Sequence, residues 1–218
     1  VENEIRPLVP MVYYHVWDNY PPPMFNRPFY LSNDVIVSIS KVTHDIVSKV
    51  APEVENIYHP HAVDPKIFRP LSTSQKAEIR RKSFPNDKEE RLLFFWNNRN
   101  ARRKQSGSLV WWFSEFAKEV GKEKVRLIMH TDPNDTHGQP LQYLIKEAGM
   151  DDGTIMISSE KVAPEILSNM YNMSDCTINI SDAEGFGLAT LESLSCGTPI
   201  VATMTGGLQE QVTDGEEW

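Results

Sequence analysis

Short, mainly apolar runs alternate with helix-period segments from Arg91 onward. Strands that are apolar at every position, rather than at every second one, are typical of parallel sheets covered by helices on both faces. This alternation predicts a doubly wound α/β domain, with its ligand outside the carboxyl ends of the strands. The predicted strands span residues 92–96, 125–129, 154–157, 176–180 and 199–202.

The clearest helical pattern follows the first of these strands. Its apolar residues recur at the spacing of one side of an α-helix, so we expect them to be buried together against the sheet. An aromatic cluster at this spacing indicates core and domain surface rather than a ligand platform. The residues of this predicted face are Leu109, Trp112, Phe113, Phe116, Ala117 and Val120.

The amino-terminal part of the chain has a different organisation. A strand ends near Tyr14, a second spans residues 35–39, and a short third strand at 56–58 leads into a proline-rich segment at 59–65. Ser40 follows the second strand and is a residue type favoured at helix N-caps, so a helix is predicted to begin there. The proline density of the last segment is typical of a connector.

This connector divides the chain into predicted domains. Residues 63–90 are assigned to the connector and a first helix, and residues 91–218 to a nearly complete Rossmann-like domain. Residues 1–62 are too few for a complete domain of this kind, which needs on the order of 100 residues. They are therefore predicted to be the last part of a truncated amino-terminal Rossmann-like domain, and the chain to be a piece of a longer protein.

The amino-acid composition limits the classes of function that the chain can have. With 40% hydrophobic and 24% charged residues the chain is typical of globular proteins, and its formal charge of −8 argues against nucleic-acid binding. No apolar run approaches the roughly 18 residues of a membrane span. Cys176 and Cys196 lie in apolar runs and are predicted to be reduced core thiols, which is typical of a cytoplasmic protein.

A glycine-containing turn at residues 181–192 is the most informative part of the chain, because it follows a predicted buried strand and opens a helix. Gly185 and Gly187 allow a tight turn and close approach of a ligand. The free amides of the following helix start favour an anion such as a diphosphate. Glu192 borders the face that packs on the sheet, where a carboxylate needs a hydrogen-bonding partner.

Glu184 and Glu192 flank Gly-Phe-Gly with seven residues between them. With residues 195–202 and the pair Gly206-Gly207, this pattern resembles retaining glycosyltransferases of family 4, the group 1 glycosyl transferases. The resemblance covers most of the chain. It implies a GT-B fold of two Rossmann-like doubly wound domains, in which residues 91–218 bind a nucleotide sugar and residues 1–62 belong to the acceptor side.

The resemblance also implies roles for individual residues. Glu184 would orient the donor sugar through its hydroxyls, and Glu192 would hold the ribose hydroxyls. The turn between them would cradle the diphosphate, and backbone groups near Val162 would contact the base. The implied donor-binding residues are Gly185, Phe186, Gly187, Leu188, Glu192, Val162 and Thr198.

A pair of cations after the first strand of the second domain matches another family feature. Arg99 and Lys104 resemble its arginine and lysine, although Asn98 stands where the family more often has glycine. A departing nucleoside diphosphate gains negative charge, so fixed cations stabilise the transition state more than the ground state. The pair would replace a metal. His59 and His61 lack further ligands at a suitable spacing, so no metal site and no cofactor are expected.

His15, at the end of the first predicted strand, is a further candidate site residue. The resemblance suggests that it faces the donor or acceptor sugar. A single histidine at a strand end is also a common structural hydrogen-bonding residue, and both interpretations stay open.

The resemblance thus implies a metal-independent retaining glycosyltransferase that transfers a sugar from a nucleotide diphosphate sugar to an acceptor hydroxyl. Glu184, Arg99 and Lys104 are its predicted catalytic residues. The acceptor would be a glycan, a lipid or a small molecule, and membrane contact could occur through the missing domain. Two alternatives are a nucleotide-sugar epimerase of the same fold and a non-catalytic nucleotide-binding module. The paired-glutamate spacing argues against the epimerase.

Overall fold

Two parallel β-sheets organise the computed structural model, which describes residues 3–87 and 91–213. The first sheet has the order β1-β2-β3 and the second the order β6-β5-β4-β7-β8. All strand pairs within each sheet are parallel. The strands are β1 Val12–His15, β2 Val35–Ser38, β3 Glu55–Tyr58, β4 Leu92–Asn97, β5 Val125–His130, β6 Ile155–Ser158, β7 Cys176–Asn179 and β8 Ile200–Ala202.

Helices connect these strands, as a doubly wound fold requires. None of the helices in the described ranges combines the length and hydropathy that crossing a membrane requires. Short 3-10 helices occur at Met24–Asn26, Arg102–Lys104, Lys122–Lys124 and Gly206–Leu208. The α-helices are α1 Arg27–Leu31, α2 Lys41–Val50, α3 Thr73–Ser83, α4 Ser106–Val120, α5 Leu141–Glu147, α6 Pro164–Met173, α7 Leu188–Ser195 and α8 Gln209–Val212.

The described chain divides into two units by its internal contacts. The first comprises residues 3–62, 183–188 and 204–213, and the second comprises 63–182 without 88–90, together with 189–203. The division after Ala62 falls where the connector is predicted to begin. The assignment of residues 91–218 to one domain stays a prediction, and its last residues, 214–218, lie outside the described range.

The positions of the strands and of helix α2 in the first unit follow from the local sequence. The strands β1, β2 and β3 lie within two residues of their predicted positions. Ser40 is the N-cap of α2, and its hydroxyl accepts a hydrogen bond from the amide of Thr43 at 3.1 Å, as predicted. Helix α2 buries Ile46, Val47 and Val50. Since capping and burial act on the same helix, its position beside β2 is well defined.

The core of the second unit corrects one prediction. Helix α4 buries Leu109, Phe113 and Ala117 as predicted. Of the other predicted residues, Trp112 is 67% exposed and Phe116 is 36% exposed, whereas Val110 is buried. Apolar residues occur on more than one side of this helix. The buried apolar stripe contains Leu109, Val110, Phe113 and Ala117. Spacing alone therefore did not identify which side of the helix is buried.

The loops after β4 and β5 are fastened together by Asn100, which has no exposed surface. Its Nδ2 donates to the carbonyl of Gln139 at 2.8 Å, and its Oδ1 accepts from the Gln139 amide at 3.1 Å and the Ser106 hydroxyl at 2.7 Å. A Cβ on Gly138 would lie 2.1 Å from the Asn100 carbonyl oxygen, so a glycine is required there. The two loops therefore have a fixed separation at the carboxyl edge of the sheet.

We expect Asn100→Ala to lower the free energy of unfolding by about 2–3 kcal/mol, because it leaves buried polar groups on both loops without partners. Chemical denaturation monitored by circular dichroism measures this change. Asn134→Ala is the matched control, since Asn134 is an exposed asparagine on the loop after β5, and should change stability by less than about 0.5 kcal/mol. Equal effects of the two substitutions would contradict the fastening role of Asn100.

Candidate functional site

The second sheet has a topological switch point between β4 and β7. From β4 the chain passes to β5 and β6 on one side, then returns to β7 and β8 on the other. Loops leaving β4 and β7 therefore diverge, which opens a crevice at the carboxyl ends of the two strands. Asn97 ends β4 and Asn179 ends β7. Ligands of open α/β sheets bind at such crevices.

Glu192, on α7, is held at this edge by two polar side chains. Its Oε2 accepts a hydrogen bond from the hydroxyl of Tyr171 at 2.7 Å and one from Asn97 Nδ2 at 3.5 Å. Asn97 Nδ2 also lies 2.8 Å from the Tyr171 hydroxyl oxygen. Both bonds from described residues end on Oε2, which leaves Oε1 for a ligand. Glu192 was predicted to require a hydrogen-bonding partner, and Tyr171 and Asn97 are these partners.

Burial raises the pKa of the Glu192 carboxyl, although the two hydrogen bonds oppose this effect. Burial also raises the pKa of Tyr171 well above its usual value, and the nearby Glu192 charge adds to the shift. Tyr171 is only 1% exposed. The phenol is therefore a fixed donor, and the orientation of the carboxylate follows from it.

Unsatisfied polar atoms lie at the same edge. Asn98 Nδ2 and Thr131 Oγ1 are buried and have no hydrogen-bond partner among residues 3–87 and 91–213. Asn98, together with Asn97, Tyr171 and Asn179, lines a cavity of about 10 Å³, enough for about one water molecule. A buried donor without a partner costs about 1–3 kcal/mol. This edge is therefore chemically suited to a polar ligand or bound water.

The two predicted cations lie in different environments. Lys104 ends the 3-10 helix Arg102–Lys104 and is buried at 7% exposure. The side chain of Arg99 is 62% exposed and forms a two-point ion pair with Asp135, with Nε–Oδ2 at 2.5 Å and Nη2–Oδ1 at 3.2 Å. Hydrogen bonding from Arg99 holds the pKa of Asp135 far below its usual range. Asp135, in the loop after β5, therefore contacts a candidate catalytic residue.

The glycine turn belongs to the first unit. Glu184 is 5% exposed, and its carbonyl accepts a hydrogen bond from the Gly207 amide at 2.8 Å. Gly187 has a φ of +89°, a left-handed conformation that favours glycine. A Cβ on Gly185 would lie 2.9 Å from the Val16 carbonyl oxygen. Both glycines of the predicted motif are therefore required by the backbone itself.

Further contacts fix this turn. Phe186 is 8% exposed, and its ring meets that of His61 edge-on at 5.2 Å. Gln211 Nε2 donates to the Phe186 carbonyl at 2.6 Å. A Cβ on Gly206 would lie 2.0 Å from the Glu184 carbonyl oxygen. The Gly206-Gly207 pair is thus explained by close backbone approach, whereas Leu188, at the start of α7, is 44% exposed.

His15 is buried in the first unit at 3% exposure. Its Nε2 lies 2.7 Å from the Tyr30 hydroxyl oxygen, and burial lowers its pKa to about 4, so the imidazole is neutral at pH 7. Its Nδ1 has no partner among the described residues. His15 also lines a cleft of about 460 Å³ with Tyr13, Trp17 and Phe29. The structural hydrogen bond is present, and contact with a sugar stays a prediction.

Val162 and Thr198 lie at opposite edges of the second sheet. Val162 is half-buried in the loop between β6 and α6, at the carboxyl edge. Thr198 precedes β8, at the amino edge, and is 2% exposed. Its hydroxyl donates to the Tyr171 carbonyl at 2.8 Å. The structure therefore places Val162 with the carboxyl-edge residues, but not Thr198, whose side chain has a structural hydrogen bond.

Tyr171, Asn97 and Asp135 are the site-forming residues that the sequence did not reveal. Tyr171 follows the apolar spacing of a helix and resembles core, while Asp135 lies in a polar loop. Asn97 offered a signal, since a polar residue directly after an apolar strand lies at the carboxyl edge of the sheet. Tyr171 pairs with Glu192, 21 residues away along the chain, and Asp135 pairs with Arg99, 36 residues away. No local pattern in the sequence indicates either pair.

Comparison with known proteins identifies the family of this chain. Residues 75–217 match the family described as glycosyl transferases group 1. The chain is 24% identical over 188 residues to N-acetyl-alpha-D-glucosaminyl L-malate synthase of Bacillus anthracis, covering 84% of the chain and 45% of the relative. It is 41% identical over 75 residues to D-inositol 3-phosphate glycosyltransferase of Paenarthrobacter aurescens, covering 34% and 18%.

A solved structure shows the same fold. Alr3699/HepE of Anabaena, in complex with UDP and glucose, aligns with a TM-score of 0.74 at 18% identity, covering 94% of the chain and 56% of that protein. The α/β, GT-B type fold predicted from the sequence is confirmed by such neighbours. The chain spans less than half the length of the curated relatives named above. Since the family match covers most of its residues, the chain belongs to the group 1 glycosyl transferases.

Proposed function

We propose that this chain contributes the nucleotide-sugar-binding part of a retaining glycosyltransferase. The nucleotide binds at the carboxyl edge of β4 and β7. The observation that carries this proposal is the Glu192 carboxylate, whose Oε2 is held by Tyr171 while Oε1 stays available at the switch point. A carboxylate fixed in this way suits a pair of ribose hydroxyls, which donate hydrogen bonds.

The base in this proposal is uracil. Alr3699/HepE was solved with UDP and with UDP-glucose, and a pneumococcal O-GlcNAc transferase with UDP and GlcNAc. Those ligands belong to those proteins, and their similarity to this chain makes UDP the first nucleotide to test. The base would lie near the backbone around Val162, in the loop after β6, because this loop shares the carboxyl edge.

The chemistry proposed is transfer of a sugar to an acceptor hydroxyl. As the glycosidic bond breaks, the leaving nucleoside diphosphate gains negative charge, and Arg99 and Lys104 would stabilise it. Glu184 would orient the sugar through its hydroxyls, with the backbone of Gly185 to Leu188 against the diphosphate. With these cations the reaction needs no metal, and the nucleotide sugar is a co-substrate rather than a cofactor.

The acceptor, a glycan, lipid or small molecule, stays open in this proposal, as does membrane contact. We place the enzyme in the cytoplasm, where nucleotide sugars are available. An alternative is a module that binds nucleotide without catalysis, and the partial length of the chain relative to its relatives keeps it open. Sugar transfer by a longer form of the protein, with the anomer of the product identified by NMR, distinguishes the enzyme from the module.

Calorimetric titration of the chain with UDP, GDP and ADP tests nucleotide binding. We expect saturable binding of UDP that is unchanged by EDTA. Glu192→Ala and Lys104→Ala should each raise Kd by about tenfold or more, since each removes a charged hydrogen-bonding group, worth about 1.5–3 kcal/mol.

Glu119→Ala is the matched control, because Glu119 is exposed on α4 and carries the same charge. This variant should bind UDP like the parent chain. If a folded parent chain binds none of the nucleotides, or if Glu119→Ala and Glu192→Ala weaken binding equally, the proposed site is wrong.

The affinity for UDP-glucose should fall as the pH falls through the raised pKa of Glu192. Ribose hydroxyls donate to the carboxylate form, and burial moves its formation above the ordinary value of about 4.3. The contribution of this group to stability has the opposite sign, because a raised carboxyl pKa stabilises the fold at low pH and this is lost as the pH rises.

Glu192→Gln removes the titrating group and should remove this pH dependence. Titrations between pH 4 and pH 8 with both chains, in the range where they stay folded, measure it. An identical pH profile for Glu192→Gln and the parent chain would show that another group is responsible.

A further inference from the structure

Asp135 and Arg99 form an ion pair between the loops after β5 and β4 at the carboxyl edge. Both carboxylate oxygens face the guanidinium, with Nε–Oδ2 at 2.5 Å and Nη2–Oδ1 at 3.2 Å. The Asp135 side chain is 12% exposed, although that of Arg99 is 62% exposed. Two-point contacts of this kind fix the plane of the guanidinium, which a single contact does not.

Asp135 is itself held rigidly. Its Oδ1 accepts a hydrogen bond from the His137 amide at 2.9 Å, and its carbonyl accepts one from the Gly138 amide at 2.9 Å. Asn100 and Gly138 fasten this loop to the loop that carries Arg99. Because the carboxylate has little freedom, the guanidinium bound to it has little freedom either.

The nitrogen atoms of the Arg99 guanidinium differ in their hydrogen bonds. Asp135 engages Nε and Nη2, and Nη2 also lies 3.2 Å from His137 Nδ1. Nη1 has no partner among residues 3–87 and 91–213. An arginine has five N–H donors in a fixed plane, so an acid on one edge leaves another edge for a second anion. That edge can bind a phosphate oxygen.

We propose that Asp135 is a positioning residue that holds Arg99 with Nη1 directed at a phosphate oxygen of the bound nucleotide. This inference rests on the proposed function. Without Asp135, Arg99 is a long exposed side chain that must be ordered when the ligand binds. Ordering such a side chain weakens binding by about three- to tenfold.

A competing effect has the opposite sign. The negative charge of Asp135 opposes a diphosphate, so its removal would tighten binding if Asp135 acted only as a competitor for Arg99. The direction of the change in affinity therefore decides between positioning and competition.

The experiment is a double-mutant cycle on the full chain, with UDP and uridine as probes. Asp135→Ala should weaken UDP binding by about three- to tenfold and leave uridine binding unchanged. In an Arg99→Ala background, Asp135→Ala should have no further effect on UDP. Glu115→Ala is the charge-matched control, since it breaks an exposed pair with Lys118 on α4, and should leave UDP affinity unchanged.

Several outcomes would overturn the proposal. The first is that Asp135→Ala binds UDP as tightly as the parent chain or more tightly. The second is that Asp135→Ala loses affinity for uridine in parallel with UDP. The third is that Arg99→Ala leaves the Kd for UDP unchanged. Glu192→Ala separates this result from the proposed function, because it should weaken uridine and UDP alike. If Glu192→Ala behaves so and Asp135→Ala does not weaken UDP, the site stands and the positioning role is wrong.

Discussion

The reversal of strand order at β4 and β7 is the constraint on which the candidate site depends. Both strands run parallel, so their loops leave the same edge of the sheet, and the change of direction keeps these loops apart. Asn97 at the end of β4 and Glu192 on α7 lie at this edge. They are hydrogen-bonded to each other, and each is also hydrogen-bonded to Tyr171. The chemistry is thus concentrated where the topology leaves space.

The polar groups of the second unit are oriented before any ligand binds. Tyr171 fixes Glu192, Asn100 fastens two loops, and Asp135 holds Arg99. Tyr171 and Asp135 are each more buried than the residue that they hold, which in the proposed function touches the ligand. Such preorganisation lowers the ordering cost of binding. The raised pKa of Glu192 is the electrostatic cost of holding its carboxylate in a partly buried position.

The strands and the glycine turn could be predicted from the sequence because their signals are local. An apolar run identifies β4 or β5 without knowledge of its neighbours, and Gly187 has the left-handed φ expected of a tight turn. Two pairs of the site could not be predicted in this way, because they depend on which loops and helices meet at the edge of the sheet. These pairs are Tyr171 with Glu192 and Asp135 with Arg99. The exposure of Trp112 has the same origin, since helical spacing does not tell which side the sheet covers.

The crystal structure of this chain with UDP tests the central claim most directly. The account predicts the nucleotide at the carboxyl edge of β4 and β7, with a ribose hydroxyl within hydrogen-bonding distance of Glu192 Oε1 and Tyr171 still bonded to Oε2. UDP bound elsewhere, or at this edge without contact between its ribose and Glu192, would contradict the account.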